Sequence, residues 1–489
     1  MEREKFGSRL GFILVSAGCA IGLGNVWKFP YLCGANGGAA FILIYLAFLL
    51  LIGIPVMICE FSVGRASKKS VACCFDQLEP SGTFWHTHKI IGIVGCYMLL
   101  MFYTSVAGWL IQYTIKGFSG AFTGITAESS GAMFGAMVTS LPGLLIGCLV
   151  VCAISVLICL LGFQKGVEKV SKFMMSALLA IMIVLAVRSV FLPGALEGVK
   201  FYLIPDFSKI ADVGLGNVLY AAMSQAFFTL SIGIGAMVIF GSYLNRDRSL
   251  AGEAVNITLL DTFVALTSGF IIIPACFAYG IEPGAGSSLV FVTLPNIFAQ
   301  MTGGRLIGGF FFLFLTFAAM TTVIAVVENL VAINVDLFGW DRKKSVITVG
   351  ILLFILSLPC IFGFTIWSGV QPLGKGTGIM DLEDFIVSNN LLPLGSLGYI
   401  LFCTCRKGWG WDHFIAEANA GKGLKLPTVL RGYMQFVIPV MIIVIYLKGY
   451  YDWFYTYHPM ESLAVWMGIA VVMLAFILYC VFAQKKKKV

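Results

Sequence analysis

Runs of twenty or more predominantly apolar residues recur from one end of the 489-residue chain to the other. A helix rising ~1.5 Å per residue needs about 20 such residues to cross ~30 Å of hydrocarbon. Since 59% of the residues are hydrophobic and 11% charged, most of the chain cannot face water, and the composition is that of a polytopic all-α membrane protein. Twelve candidate spans, numbered in chain order, fall at 9–36, 38–66, 86–118, 141–162, 167–191, 215–244, 251–279, 304–337, 344–364, 377–402, 429–450 and 463–484. The first run is too long for the apolar core of a cleavable signal and carries no cleavage site.

Positive charge orients the bundle. With the N-terminus in the cytoplasm, 24 of the 32 Lys and Arg fall on the cytoplasmic side, including the tail Lys485 to Lys488. That bias predicts a multi-pass protein of the inner (cytoplasmic) cell membrane with both termini inside. The net charge of +8 lies mostly on that face without interleaved aromatics. The expected partner is therefore the lipid bilayer, not nucleic acid. Fourteen scattered cysteines read as small apolar fillers, not a disulfide or zinc framework. Signals for an enzyme are poor: His86, His88, His413 and His458 fall in predicted loops, and the phosphate-loop mimic at 369–375 lacks the final Ser or Thr. No organic cofactor is expected. The sequence carries no signal of oligomeric state.

Polar and helix-breaking residues concentrate in two spans. Span 1 contains GCAIGLGNVWKFP at 18–30 and span 6 contains SQAFFTLSIGIG at 224–235. Gly18 and Gly22 alone fit close helix packing equally well. The two interruptions lie five spans apart, however, so a second unit of five would run opposite to the first, and interrupted segments at matching positions of inverted halves mark a transporter's central site. The predicted organisation is a cytoplasmic segment at 1–8, a first inverted repeat at 9–191 (spans 1 to 5), an extracellular loop at 192–214 and a second repeat at 215–402 (spans 6 to 10). A cytoplasmic loop with spans 11 and 12 at 403–484 and a basic tail at 485–489 complete the chain. The loop at 280–303 contains SLVFVTLPNIFA at 288–299, apolar enough for a short helix lying back on the bundle.

Backbone freed by a break must line a cavity or bind something. Carbonyls suit a hard cation, and helix N-termini suit a carboxylate. With Asn25 offering an amide oxygen and Thr229 a hydroxyl, the breaks fit ion-coupled uptake of an organic acid or amino acid. Embedded carboxylates are functional candidates by default. Asp261 in span 7 is assigned to an ion site, whereas Glu60 and Glu328 are assigned to structural hydrogen bonds with the broken segments. Adjacent Thr321 and Thr322 could simply bond their own helix.

Five motifs now carry a resemblance: GLGNVWKFPY at 22–31, NGGAAF at 36–41, GIPVMICEFSVGR at 53–65, QAFFTLSIGIGAM at 225–237 and FAAMTT at 317–322. Over nearly its whole length the chain resembles the neurotransmitter:sodium symporter family, in particular its bacterial amino-acid transporter branch. The resemblance implies twelve transmembrane helices, two inverted five-helix repeats with broken helices 1 and 6, and two C-terminal helices. It implies two sodium sites. The first would use Ala20, Asn25, Thr229 and Asp261 with the substrate carboxylate; the second would use Gly18, Ile21, Ala318, Thr321 and Thr322. The substrate carboxylate would meet Leu23, Gly24 and Tyr103, and its amine Ala20, Phe228, Thr229 and Thr322. Leu99, Phe228, Ser231, Ile234 and Val326 would enclose its side chain. Gly22 stands where monoamine carriers place an aspartate, which favours a substrate bearing its own carboxylate.

Gates carry over in the same way. Lys28 and Asp384 would form the outer ion pair, and Arg3, Asp336, Ser242 and Tyr243 would close the cytoplasmic side. Lys28 departs from the family's usual arginine and forfeits its bidentate fork. Asp261 stands where asparagine is common, and Ala265 where chloride-dependent members carry serine. A fixed carboxylate would replace chloride's charge, so transport is expected to be chloride-independent. Ser176 stands where relatives often carry a proline in span 5. The resulting expectation is sodium-coupled symport of a neutral, hydrophobic or aromatic L-amino acid by alternating access. Proton coupling through Asp261, Glu60 or Glu328, and a channel or receptor on the same scaffold, are the alternatives.

Overall fold

The structure is a computed structural model that describes residues 5–283, 289–457 and 460–483. Among the described residues it is all-helical, with β pairing confined to one isolated bridge between Arg248 and Lys422. Ten helices are long and apolar enough to cross a membrane unbroken, from Ala39–Ser67 to Leu463–Phe482. Span 1 adds a bent pair, Arg9–Ala20 and Gly24–Ala35, inclined at 58°. Span 6 adds Leu215–Thr229 and Ala236–Ser242, separated by a non-helical stretch at 230–235. Twelve spans with the first and sixth broken are thus present, as the sequence indicates.

The centre is built on spans 3 (Trp85–Ser119) and 8 (Gly304–Phe338), each 35 residues long. Span 8 has 83% of its most apolar window buried inside the protein, against 22% for span 12 (Leu463–Phe482), which separates the core from the lipid-facing rim. Small residues let the central helices approach: a Cβ on Gly117 would lie 2.8 Å from Gly309, and one on Gly108 2.8 Å from the Gly147 backbone. Side-chain hydroxyls join the same helices, as Thr114 to Thr316 at 2.9 Å. Close backbones and shared hydroxyls replace the hydrophobic effect that lipid removes.

Span 1 starts at Ser8, whose hydroxyl accepts the Gly11 N–H at 3.0 Å, a serine N-cap. It stops at Ile21, which takes extended backbone angles and returns its N–H to Ala17. Span 6 stops because Ser231, Gly233 and Gly235 all have positive φ, at 50°, 101° and 74°. Only glycine fits at Gly233, where a Cβ would stand 2.1 Å from the Leu392 carbonyl of span 10. The helix resumes on a carboxylate: Glu60 of span 2, fully buried, accepts the Gly233 N–H at 2.5 Å and the Met237 N–H at 3.2 Å. An acid at a helix N-terminus answers both the unpaired N–H groups and the dipole.

The connections hold more helix than the sequence indicates, including Ala127–Val138, Leu196–Leu203 and Trp411–Ala418. The expected apolar loop helix is present as Leu289–Gln300. His88 is no loop residue: it is buried between Phe75 and Tyr399, where aromatic packing accounts for it. Ser176 lies within the unbroken helix Lys169–Val190.

Candidate functional site

The two breaks face each other across a narrow cavity of about 20 Å³. Its walls are Ala20, Gly22 and Gly24 from span 1, Leu99 and Tyr103 from span 3, Phe228, Ser231 and Ile234 from span 6, Thr322 from span 8 and Leu392 from span 10. Nine of the twelve residues expected to line a substrate site meet here. Leu23 lines a second, outer cavity; Thr229 lies in a polar cluster beside the first; Val326 is fully buried in span 8 and does not line either. Leu392 was not foreseen, because no motif in the sequence ties span 10 to the break of span 6.

Beside the cavity, one fully buried cluster links spans 1, 6 and 7. Asn25 donates its amide to Thr229 Oγ1 at 2.8 Å and to Asp261 Oδ1 at 2.8 Å, while its Oδ1 accepts the Gly22 N–H at 3.1 Å. The Thr229 hydroxyl donates to the other Asp261 oxygen at 3.0 Å. Neighbours hold this geometry: the Ser268 hydroxyl donates to the Asn25 carbonyl at 2.6 Å, and the Gln225 amide to the Gly24 carbonyl at 2.8 Å. Ala20 ends the inner half-helix at the cluster's edge. The four side-chain oxygens of Asn25, Thr229 and Asp261 are the donor set a hard cation selects.

A second oxygen-rich cluster lies where span 1 opens against span 8. The Thr322 hydroxyl stands 3.3 Å from the Gly18 carbonyl, 3.3 Å from that of Cys19, 3.4 Å from that of Ile21 and 3.4 Å from that of Ala318. The Thr321 hydroxyl stands 3.0 Å from the Ala318 carbonyl. One O–H proton cannot serve four carbonyls, so acceptors outnumber donors. All five residues expected at a second ion site are here, and the Cys19 carbonyl joins them. The Tyr103 hydroxyl accepts the Leu23 N–H at 2.7 Å, the first free N–H group of the outer half-helix.

Beyond Tyr103 and Phe228, which border both spaces, lies an outer cavity of about 200 Å³. Lys28, Asp381 and Asp384 line it. The expected ion pair is not formed: the Lys28 ammonium lies 4.3 Å over the Phe228 ring, and Asp384 accepts the Ser388 hydroxyl at 2.7 Å. A lysine is a point charge on a flexible stem, and the ring face beside it is a competing partner.

On the N-terminal side, Arg3 lies outside the described residues. Asp336 accepts the Ser70 N–H at 2.7 Å and lies 3.7 Å from Lys69. The Ser242 hydroxyl donates to the Ile239 carbonyl at 2.6 Å, and Tyr243 donates to Glu328 at 3.2 Å. Three features here escaped the sequence reading. Glu328, fully buried, takes both arms of Arg342 at 2.9 and 2.6 Å. Phe6 sits within a ring cluster, 5.3 Å from Phe12, 4.9 Å from Phe163 and 6.0 Å from Tyr243. Glu168 accepts the Gly7 N–H at 2.8 Å and Glu253 pairs with Arg9 at 3.0 Å, fastening the start of the chain to spans 5 and 7. No local pattern signals these contacts: those of Phe6 with Phe163 and Tyr243, of Gly7 with Glu168 and of Arg9 with Glu253 join residues more than a hundred positions apart, and Glu328 meets Arg342 across the end of its own helix.

A multi-pass bundle whose opposed half-helices enclose a cavity and two oxygen clusters defines a secondary transporter. Comparison with known proteins makes the class specific. The chain belongs to the sodium:neurotransmitter symporter family, whose sequence pattern matches residues 3–129 and 136–488. It is 36% identical over 448 residues to the uncharacterized sodium-dependent transporter YhdH of Bacillus subtilis (strain 168), covering 91% of this chain and 97% of that one. An uncharacterized sodium-dependent transporter of Haemophilus influenzae is 31% identical over 464 residues, covering 92% and 98%. Among solved structures, MhsT in complex with L-phenylalanine superposes with a TM-score of 0.82 at 37% identity, covering 92% of this chain and all of that one. The family is one of sodium symporters, transporters rather than enzymes.

Proposed function

We propose that the protein imports a neutral, hydrophobic or aromatic L-amino acid with two sodium ions by alternating access, without chloride. The observation that carries this reading is Asp261, bonded to Asn25 of one break and Thr229 of the other. At the first ion position Ala20, Asn25, Thr229 and Asp261 hold sodium beside the substrate carboxylate. Sodium entry turns the Asn25 amide so that oxygen replaces the NH₂ group against Asp261. At the second position the carbonyls of Gly18, Ile21 and Ala318 act with the hydroxyls of Thr321 and Thr322. The carboxylate is received by Leu23, Gly24 and Tyr103, the amine by Ala20, Phe228, Thr229 and Thr322, and the side chain by Leu99, Ser231, Ile234 and Val326.

Gly22 keeps room for that carboxylate, since a Cβ there would stand 2.2 Å from the Tyr103 hydroxyl. An aromatic substrate is supported by the likeness to the phenylalanine complex of MhsT. Chloride is dispensable because Asp261 supplies a fixed negative charge and Ala265 offers no hydroxyl. Residues 9–191 and 215–402 act as the two inverted repeats, joined by an extracellular loop at 192–214; spans 11 and 12 flank them, and both termini face the cytoplasm of the inner membrane. Lys28 and Asp384 meet when the outer cavity closes, and Asp336, Ser242 and Tyr243 belong, with Arg3, to the gate of the opposite side.

The driving force suffices. One charge crossing ~100 mV supplies about 2.3 kcal/mol, and each ~1.4 kcal/mol supports a tenfold gradient. Two sodium ions with a zwitterion therefore support roughly thousandfold accumulation before the sodium gradient itself is counted. Proteoliposomes bearing an inward sodium gradient should accumulate labelled leucine, tyrosine or tryptophan equally well in chloride and in gluconate. Loss of uptake in gluconate would overturn the role of Asp261 as chloride's substitute.

A further inference from the structure

Span 10 opens with the helix Ile379–Ile386, which points its acids in two directions. Asp381 and Asp384 line the outer cavity, whereas Glu383 turns into the protein and is only 2% exposed. Among the described residues no nitrogen or oxygen hydrogen-bonds to either Glu383 oxygen and no cation pairs with it, so the only polar neighbour that reaches it is a thiol, a weak donor. The facing titratable group is the Cys360 thiol of span 9 (Arg342–Phe364). Beyond it, span 3 presents the buried Ser105, whose hydroxyl faces the same Cys360 thiol. The turn Val387–Leu391 that follows carries no titratable side chain, and Lys28 across the outer cavity lies over Phe228.

An ionised carboxylate in such a place has no charge and only a thiol's weak dipole to replace the water it lost. A sodium ion does not fit either, because a hard cation needs a shell of oxygens, and a thiol is what faces this acid. The occupant that fits is a proton. We propose that Glu383 is a proton-binding site: it holds a proton while the helix Ile379–Ile386 packs against spans 3 and 9, and releases it to water when that helix leans away.

The sign follows from linkage. A proton that binds the packed position better shifts the helix toward it as pH falls, by up to tenfold per pH unit. This inference needs no particular substrate, so it stands or falls separately from the transport reading. Hydrogen exchange of residues 379–386 in the full-length protein in lipid nanodiscs, corrected for the intrinsic rate, reads the opening directly. Wild type should be several-fold to tenfold better protected at pH 6 than at pH 8. Glu383→Gln, which mimics the neutral acid, and Glu383→Leu, which removes the group, should show equal protection at both. Protection of wild type independent of pH, or the same dependence in both variants, would overturn the proposal.

Discussion

The two ends of the cavity are closed by contacts of different kinds. On the side remote from the N-terminus, Tyr103 and Phe228 border both the inner cavity and an outer one of about 200 Å³, and Lys28 rests on the Phe228 ring. On the N-terminal side, Phe6, Phe12, Phe163 and Tyr243 interlock, and the pairs Glu328–Arg342 and Glu253–Arg9 lie around them. The first barrier is carried by two side chains shared between the cavities, whereas the second joins a chain segment to several buried charges. The lesson is that the breaks in spans 1 and 6 supply the binding groups, but the unequal seals decide which side yields first.

Breaking the thicker seal should give the largest effect. Glu328→Gln leaves Arg342 without its carboxylate, and loss of one partner of a buried pair costs about 3 kcal/mol. A melting temperature lowered by several degrees, with faster hydrogen exchange at 236–243, would register it. Phe6→Ala removes four ring contacts of about 0.5–1 kcal/mol each, which should raise opening on the N-terminal side roughly tenfold to several-hundredfold, read as faster exchange over residues 5–12. Unchanged exchange would mean that the aromatic cluster is packing only.

Between the seals, Gly22→Ala places a methyl 2.2 Å from the Tyr103 hydroxyl and 2.8 Å from that of Thr322. Overpacking of this kind costs about 1–3 kcal/mol; equilibrium binding should show amino-acid affinity weakened roughly tenfold to hundredfold, with sodium binding at the second cluster retained. The smallest effect belongs to the thin side. Lys28→Ala forfeits a cation–π contact of about 0.5–1 kcal/mol and should speed substrate dissociation only about two- to fivefold, measured by dilution of preloaded protein. An effect as large as that of Phe6→Ala would erase the asymmetry.

Much of this was legible in the sequence for physical reasons. Spans follow from apolar length, and breaks from glycine clusters in membrane; the chemistry of Asn25, Thr229 and Asp261 follows from the cost of burying such groups. What stayed hidden depends on where distant backbones cross. Leu392 joins the cavity because Gly233 and Gly395 touch, with a Cβ on Gly395 only 1.9 Å from the Gly233 carbonyl. A glycine at 395 in an apolar span was the available signal, but it named no partner. Lys28 was readable as an embedded charge, yet its place over Phe228 rather than beside Asp384 is set by side-chain geometry that no motif encodes.

The central claim is that the paired breaks hold sodium and an amino acid in contact, so each must tighten the other by the same factor. Equilibrium binding of labelled L-phenylalanine to the purified protein, across sodium concentrations and repeated with Asp261→Ala, tests it most directly. The account predicts that affinity rises at least tenfold with sodium and that Asp261→Ala abolishes most of the rise. Affinity indifferent to sodium, or a sodium effect untouched by Asp261→Ala, would contradict it.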